Sequence, residues 1–137
     1  MPNEKDVLEP LDRSITAQEA ELVRWLTEHG EPGSEQLLNQ IDDLKVVSEC
    51  KCGCPTVYFA MGTDGNSRKG ERLVSDWIAK VGEEIFGVML FKVDGKISSL
   101  EVYCCSGRVE EFGLPPIETI LGYDERSVDR LVSAPFQ

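Results

Sequence analysis

A chain of 137 residues, 41% of them hydrophobic and 28% charged, is long enough to bury one sizeable core without a disulfide or metal and too apolar to be disordered. Its 14 Lys and Arg against 25 Asp and Glu, a net charge of −11, argue against phosphate-backbone binding, which needs clustered cations. No apolar run approaches the roughly 20 residues of a membrane-spanning helix, and the polar start Met1-Pro2-Asn3-Glu4 lacks the apolar core of a signal peptide. The expected compartment is therefore the cytoplasm, where five cysteines stay mostly reduced.

Residues 1–14 read as a loose arm, with 15–137 forming a single domain. Thr16 and Glu19 have the spacing of a capping box, and a helix is expected over 17–29, ending at Gly30. Ile15, Leu22, Trp25, Leu26 and His29 fall on one side of it. Ser34 can cap a second, short helix through about residue 40, with Leu37, Leu38 and Ile41 inward. Strands follow over 44–49 and 56–61, then a polar loop over 63–70. Gly65 and Gly70 stand at phosphate-loop spacing there, but Glu71 and Arg72 replace the required Lys and Ser or Thr. Residues 73–81 fit either period; a strand gives the sheet a continuous antiparallel order.

The strongest signal is a hairpin of residues 85–93 and 96–104 around Asp94-Gly95. A two-residue Asp94-Gly95 turn would set Met89 opposite Leu100; a three-residue loop, Val93 to Gly95, would set Val88 opposite Leu100 and is preferred for its clean apolar stripe. That register places Val88, Leu90, Leu100 and Val102 on one face, and Met89, Phe91, Ile97, Glu101 and Tyr103 on the other. Leu114-Pro115-Pro116-Ile117 reads as an extended docking segment, and residues 125–132 as a short helix. The expected fold is α+β: two N-terminal helices on an antiparallel sheet of about five strands, with a short C-terminal helix.

The chemistry sits in the cysteines. Cys50, Cys52 and Cys54 are spaced by two, and Cys104 and Cys105 are adjacent. Three thiolates of the first group and one of the second could make a four-ligand zinc site, although the spacing is not that of paired Cys-x2–4-Cys motifs. A Cys-x-Cys or vicinal disulfide is the redox alternative; buried thiols that only pack are the plain one. His29, the one histidine, suits a helix C-terminus or a ligand facing the cysteines. A lone histidine gives little support to a Cys or Ser nucleophile. Glu101 is the one acid inside an apolar strand, a place where a carboxylate can move protons, with Tyr103 or Tyr58 beside it. The pairs Glu83-Glu84 and Glu110-Glu111 read as solvated charge.

Leu22-x2-Trp25-Leu26, Cys52-Gly53-Cys54-Pro55-Thr56-Val57 and the run from Gly87 through Leu100-Glu101-Val102-Tyr103 together resemble a family of small bacterial hypothetical proteins. In that family a Cys-Gly-Cys-Pro segment precedes a Leu-Glu-Val-Tyr hairpin. The resemblance spans about residues 16–116, implies no catalytic residues, and leaves out Cys104 and Cys105. The functional expectation is a non-enzymatic interaction domain whose acidic N-terminal third, 12 acids against 4 bases over residues 1–49, meets a basic protein partner. Nucleic acid and membrane are not expected partners. The alternatives are a zinc-binding or redox-sensing cysteine cluster and a small enzyme using Glu101.

Overall fold

A computed structural model describes residues 8–50, 52–60 and 70–121. They form an α+β domain around one antiparallel sheet of six strands: β1 Leu8–Ser14, β2 Lys45–Cys50, β3 Val57–Phe59, β4 Arg72–Val81, β5 Glu84–Val93 and β6 Lys96–Cys104. The spatial order is β1-β2-β3-β6-β5-β4. The sheet is thus two three-stranded meanders joined in the middle, where Val57 faces Leu100 and Tyr58 faces Ser99.

The segment expected as a loose arm supplies an edge strand. Leu8–Ser14 pairs with β2, with an irregularity between Pro10 and Arg13. Pro10 is compatible with this because a proline without an N–H is tolerated at a sheet edge.

Helix α1, Ala17–Glu28, begins with the expected reciprocal cap: Thr16 Oγ1 accepts from the Glu19 N–H, and Glu19 accepts from the Thr16 N–H. It buries Leu22, Val23 and Leu26 against the sheet. The second helix is a 3-10 helix, Ser34–Asp43, entered through Gly33 in the left-handed region. Ser34 does not cap it. Its buried hydroxyl instead donates to Thr27 O at 2.7 Å and satisfies a carbonyl at the end of α1.

Residues 73–81 are strand, as the antiparallel order required. The β5–β6 turn differs from expectation. Asp94 (φ 51°) and Gly95 (φ 75°) form a two-residue turn, the geometry that matches hairpin twist. One extra residue then enters β6 between Ile97 and Ser99, so Leu90 faces Leu100 and Val88 faces Val102. The apolar face Val88, Leu90, Leu100 and Val102 survives, because the slip from the expected register is an even number of residues. The bulge turns Ile97 inward, and it is fully buried instead of sharing the Glu101 face.

The core is closed by Phe59, Val46 and Ile41, none of them exposed, each such side chain contributing about 1.5–3 kcal/mol by burial. Trp77 packs edge-on against Trp25. After β6 the chain recrosses the sheet: Phe112 packs on Phe86, Leu114 and Ile117 lean on the core, and the Leu121 N–H reaches Ile78 O at 2.9 Å. A single 3-10 turn, Ile117–Thr119, is seen in this tail. The expected helix over 125–132 and most of the polar loop 63–70 lie outside the described residues.

Candidate thiol site

The site is made where the central seam of the sheet stops. Continuing the β3–β6 register by two residues would set Pro55 opposite Val102. Proline has no N–H to give. The Thr56 side chain substitutes for the missing rung: its hydroxyl donates to Val102 O at 3.2 Å and accepts from the Val102 N–H at 2.9 Å. Freed from the ladder, residues 52–56 form a loop beyond β2. Its ends are tied by the Cys50 N–H to Thr56 O bond. Its tip is Gly53 at φ 108°, where an added Cβ would meet the backbone of Glu110. The Phe112 N–H donates to Gly53 O at 3.2 Å, which fixes the loop to the segment after β6.

This fold of the loop brings three sulfurs together. Cys50 Sγ lies 2.6 Å from Cys52 Sγ, and Cys52 Sγ lies 3.1 Å from Cys54 Sγ. All three lie within 4.8 Å of one another, a grouping that can hold a metal ion. Cys52 is exposed and its two neighbours are half-buried. The arrangement polarises the thiols. Burial, with the hydrogen bond to Cys52, pushes the Cys50 thiol up to about 12. Burial also acts to raise Cys52, but its hydrogen bonds with Cys50 and Cys54 hold it below the usual thiol range.

Cys104 and Cys105 do not join this group. Cys104 sits in a separate polar cluster. Its Sγ lies 3.3 Å from Ser106 Oγ and donates to Glu84 Oε1 at 3.7 Å. Ser106 Oγ donates to the same carboxylate oxygen at 2.8 Å, and Arg108 pairs with Glu84 at 3.0 Å. The Ser106 hydroxyl and nearby backbone N–H groups hold the Cys104 thiol below its usual range. Ser106 and Arg108 do the same for the Glu84 carboxyl. Cys105 is exposed, and burial of its sulfur together with the neighbouring Cys104 pushes it up.

The two cysteine regions nonetheless share a surface. A cleft of about 410 Å³ is lined by Cys52, Cys54 and Cys104, with Val102, Val109 and Phe112 as its apolar walls. A second cleft of about 340 Å³ is also lined by Cys54, together with Glu19, Glu49 and Thr56. There Arg13 bridges Glu19 (2.8 Å) and Glu49 (2.9 Å).

The remaining sequence candidates fall elsewhere. Glu101 is half-buried opposite Met89 and accepts from Ser99 Oγ at 3.0 Å; it lines neither of these clefts. Tyr103 borders the larger cleft and is 47% exposed, with its ring laid over Gly87 so closely that a Cβ there would collide with it. His29 stacks on Trp25 at 3.9 Å and its Nδ1 lies 2.8 Å from Trp25 O, the helix-end role and not a ligand to the thiols. The Glu84–Ser106–Arg108 setting of Cys104 was not legible in the sequence, where Glu84 reads as half of a solvated pair twenty residues away. Comparison of this chain with protein-family models, with curated proteins and with solved structures finds no match to any of the three.

Proposed function

We propose that this domain is a thiolate metal-binding protein and that Cys50, Cys52 and Cys54 hold a single thiophilic ion, zinc being the expected one. The observation that carries this reading is the convergence of the Cys50, Cys52 and Cys54 sulfurs within 4.8 Å of one another. Zinc–sulfur bonds of about 2.3 Å in a tetrahedron place sulfurs about 3.8 Å apart. The sulfurs here therefore need to spread by about 1 Å, within reach of side-chain rotation on a loop whose ends are fixed. Three protein ligands leave one position for a water or an added ligand, on the side of the cleft shared with Cys104. Metal binding would replace the thiol protons, so loading should strengthen as pH rises.

The test is competition for zinc between the reduced protein and a chromophoric chelator. The expected result is one ion per chain and at least a tenfold loss of affinity in Cys52→Ser. Cobalt loading should give the intense near-ultraviolet band of thiolate ligands, weakened in the same variant. Equal affinity of the wild type and of a variant with all three cysteines replaced would refute the reading.

A second reading has its own support. Glu21, Glu28, Glu35, Asp42 and Asp43 are exposed along α1 and the 3-10 helix, where Arg24, paired with Asp42, is the one base between residues 17 and 43. This face suits a basic protein partner, and charge reversal at Glu21 and Glu28 should weaken such binding and flatten its dependence on salt.

A further inference from the structure

The exposed sulfur of the group is the middle one. Cys52 faces solvent at the mouth of the larger cleft, and a second sulfur, Cys50 Sγ, lies 2.6 Å behind it. Any group joined to Cys52 therefore has a resolving thiol already within bonding reach. The third sulfur, Cys54, is 3.1 Å away on the other side. We propose that the site carries out thiol–disulfide exchange with low-molecular-weight disulfides that dock in the cleft between Cys52 and Cys104, with Cys52 as attacking residue and Cys50 as resolving residue.

The chemistry balances with the disulfide itself as oxidant. The Cys52 thiolate attacks one sulfur of R–S–S–R; the Cys52–S–S–R bond forms, the R–S–S–R bond breaks, and one RS⁻ leaves with the electron pair. The Cys50 thiolate then attacks Cys52 Sγ, forming the Cys50–Cys52 disulfide and expelling the second RS⁻. The two protons lost by the cysteines end on the two released thiols. Two protein thiols are oxidised and one small disulfide is reduced to two thiols. A ring closed by cysteines only two residues apart is strained and readily reducible, so an excess of small thiol reverses the reaction.

The cleft also selects among disulfides. Its lining includes Val102, Val109 and Phe112 and one acidic residue, Glu110, in a chain of net charge −11. A compact cationic disulfide is attracted by this rim and an anionic one is repelled. The exchange uses metal-free thiols and does not rest on the metal reading.

The experiment treats the reduced, metal-free full chain with one equivalent of cystamine or of oxidised glutathione. Samples are quenched by alkylation at intervals and the disulfides are mapped by peptide mass spectrometry. Each rate is normalised to the exchange of the same disulfide with free cysteine. The expected course is a transient adduct on Cys52 followed by a Cys50–Cys52 disulfide and two released thiols. Cys50→Ser should trap the Cys52 adduct, and Cys52→Ser should slow exchange at least tenfold. Normalised exchange should be at least tenfold faster for cystamine than for oxidised glutathione at low salt, and the ratio should shrink as salt screens the rim. First reaction at exposed Cys105, a final Cys52–Cys104 disulfide, or rates no faster than free cysteine would overturn the proposal. Because zinc competition is read separately on the reduced chain, failure of exchange and failure of metal binding are distinguishable.

Discussion

Replacing Arg13 by Met tests how the N-terminus of α1 is held to the sheet. Arg13 donates two hydrogen bonds to Glu19, at 3.0 and 2.8 Å, and one to Glu49 at 2.9 Å. Met keeps most of the apolar stem and removes the charge. The Glu19 side chain is 8% exposed and that of Arg13 31%. Stripping the partner from a fully buried ion costs about 3–5 kcal/mol, whereas an exposed pair is worth less than about 1 kcal/mol. With one member buried and the other partly wet, the expected loss is about 2 kcal/mol at pH 7. The sign of its pH dependence follows from Glu19. Burial pushes that carboxyl up, but Arg13 and the Thr16 N–H outweigh it and hold the group below the usual range. In the wild type Glu19 thus stabilises the fold above about pH 4–5, and the contribution is lost as pH falls through its lowered folded pKa. In Arg13→Met, burial is opposed by Thr16 alone. The ionised group then weakens the fold at neutral pH, and protonation relieves it. The gap between wild type and variant, read from urea unfolding, should be about 2 kcal/mol at pH 7 and less than half of that at pH 4. An equal gap at both values, or one below about 0.5 kcal/mol at pH 7, would refute the reasoning.

Thr56→Val removes both bonds to Val102 while keeping the side chain's shape, and should cost about 2 kcal/mol in thermal or chemical unfolding; the exchange rate of the Val102 amide should rise with it. Gly53→Ala forces a left-handed backbone on alanine and a Cβ into the Glu110 backbone. It should lower stability by about 1–3 kcal/mol and weaken zinc binding, checked by chelator competition. Phe59→Ala empties a fully buried position at the centre of the sheet, and denaturation should show a loss of about 3–5 kcal/mol.

The parts of this architecture written in local chemistry could be read directly. Thr16 and Glu19 announce the start of α1, Asp94-Gly95 announces the hairpin, and the alternation of Val88, Leu90, Leu100 and Val102 marks the buried face. Features set by distant pairing could not be read. Strand β1 has no convincing period of its own and exists because β2 offers it an edge. The bulge in β6 corrects the register by an amount that no turn rule encodes, and strand alternation alone therefore puts Ile97 on the wrong face. Ser34 was legible as a cap, but whose cap depended on where α1 ended. In the site, spacing by two marked Cys50, Cys52 and Cys54 as able to share a face, while the loop around Gly53 that brings their sulfurs within 4.8 Å depends on the segment after β6. Nothing in the spacing of Cys104 and Cys105 revealed that Glu84, Ser106 and Arg108 would hold Cys104 apart from the first three.

The strand order has a consequence for how the site comes into being. Strands β2 and β3, and β4 to β6, pair with near neighbours in the chain, so the entropy of closing long loops is concentrated in two steps, the pairing of β1 with β2 across both helices and the joining of β3 to β6. The trithiol loop belongs to the first half of the chain. Cys104 and the Val109–Phe112 wall belong to the second. The cleft is therefore a property of the seam and of neither half: its floor, Val102, is held by a hydroxyl from one meander on the backbone of the other. A chain cut between the meanders would carry every cysteine and still lack the cleft until its two pieces had found each other, so that a ligand bound in the cleft reads out the completed fold.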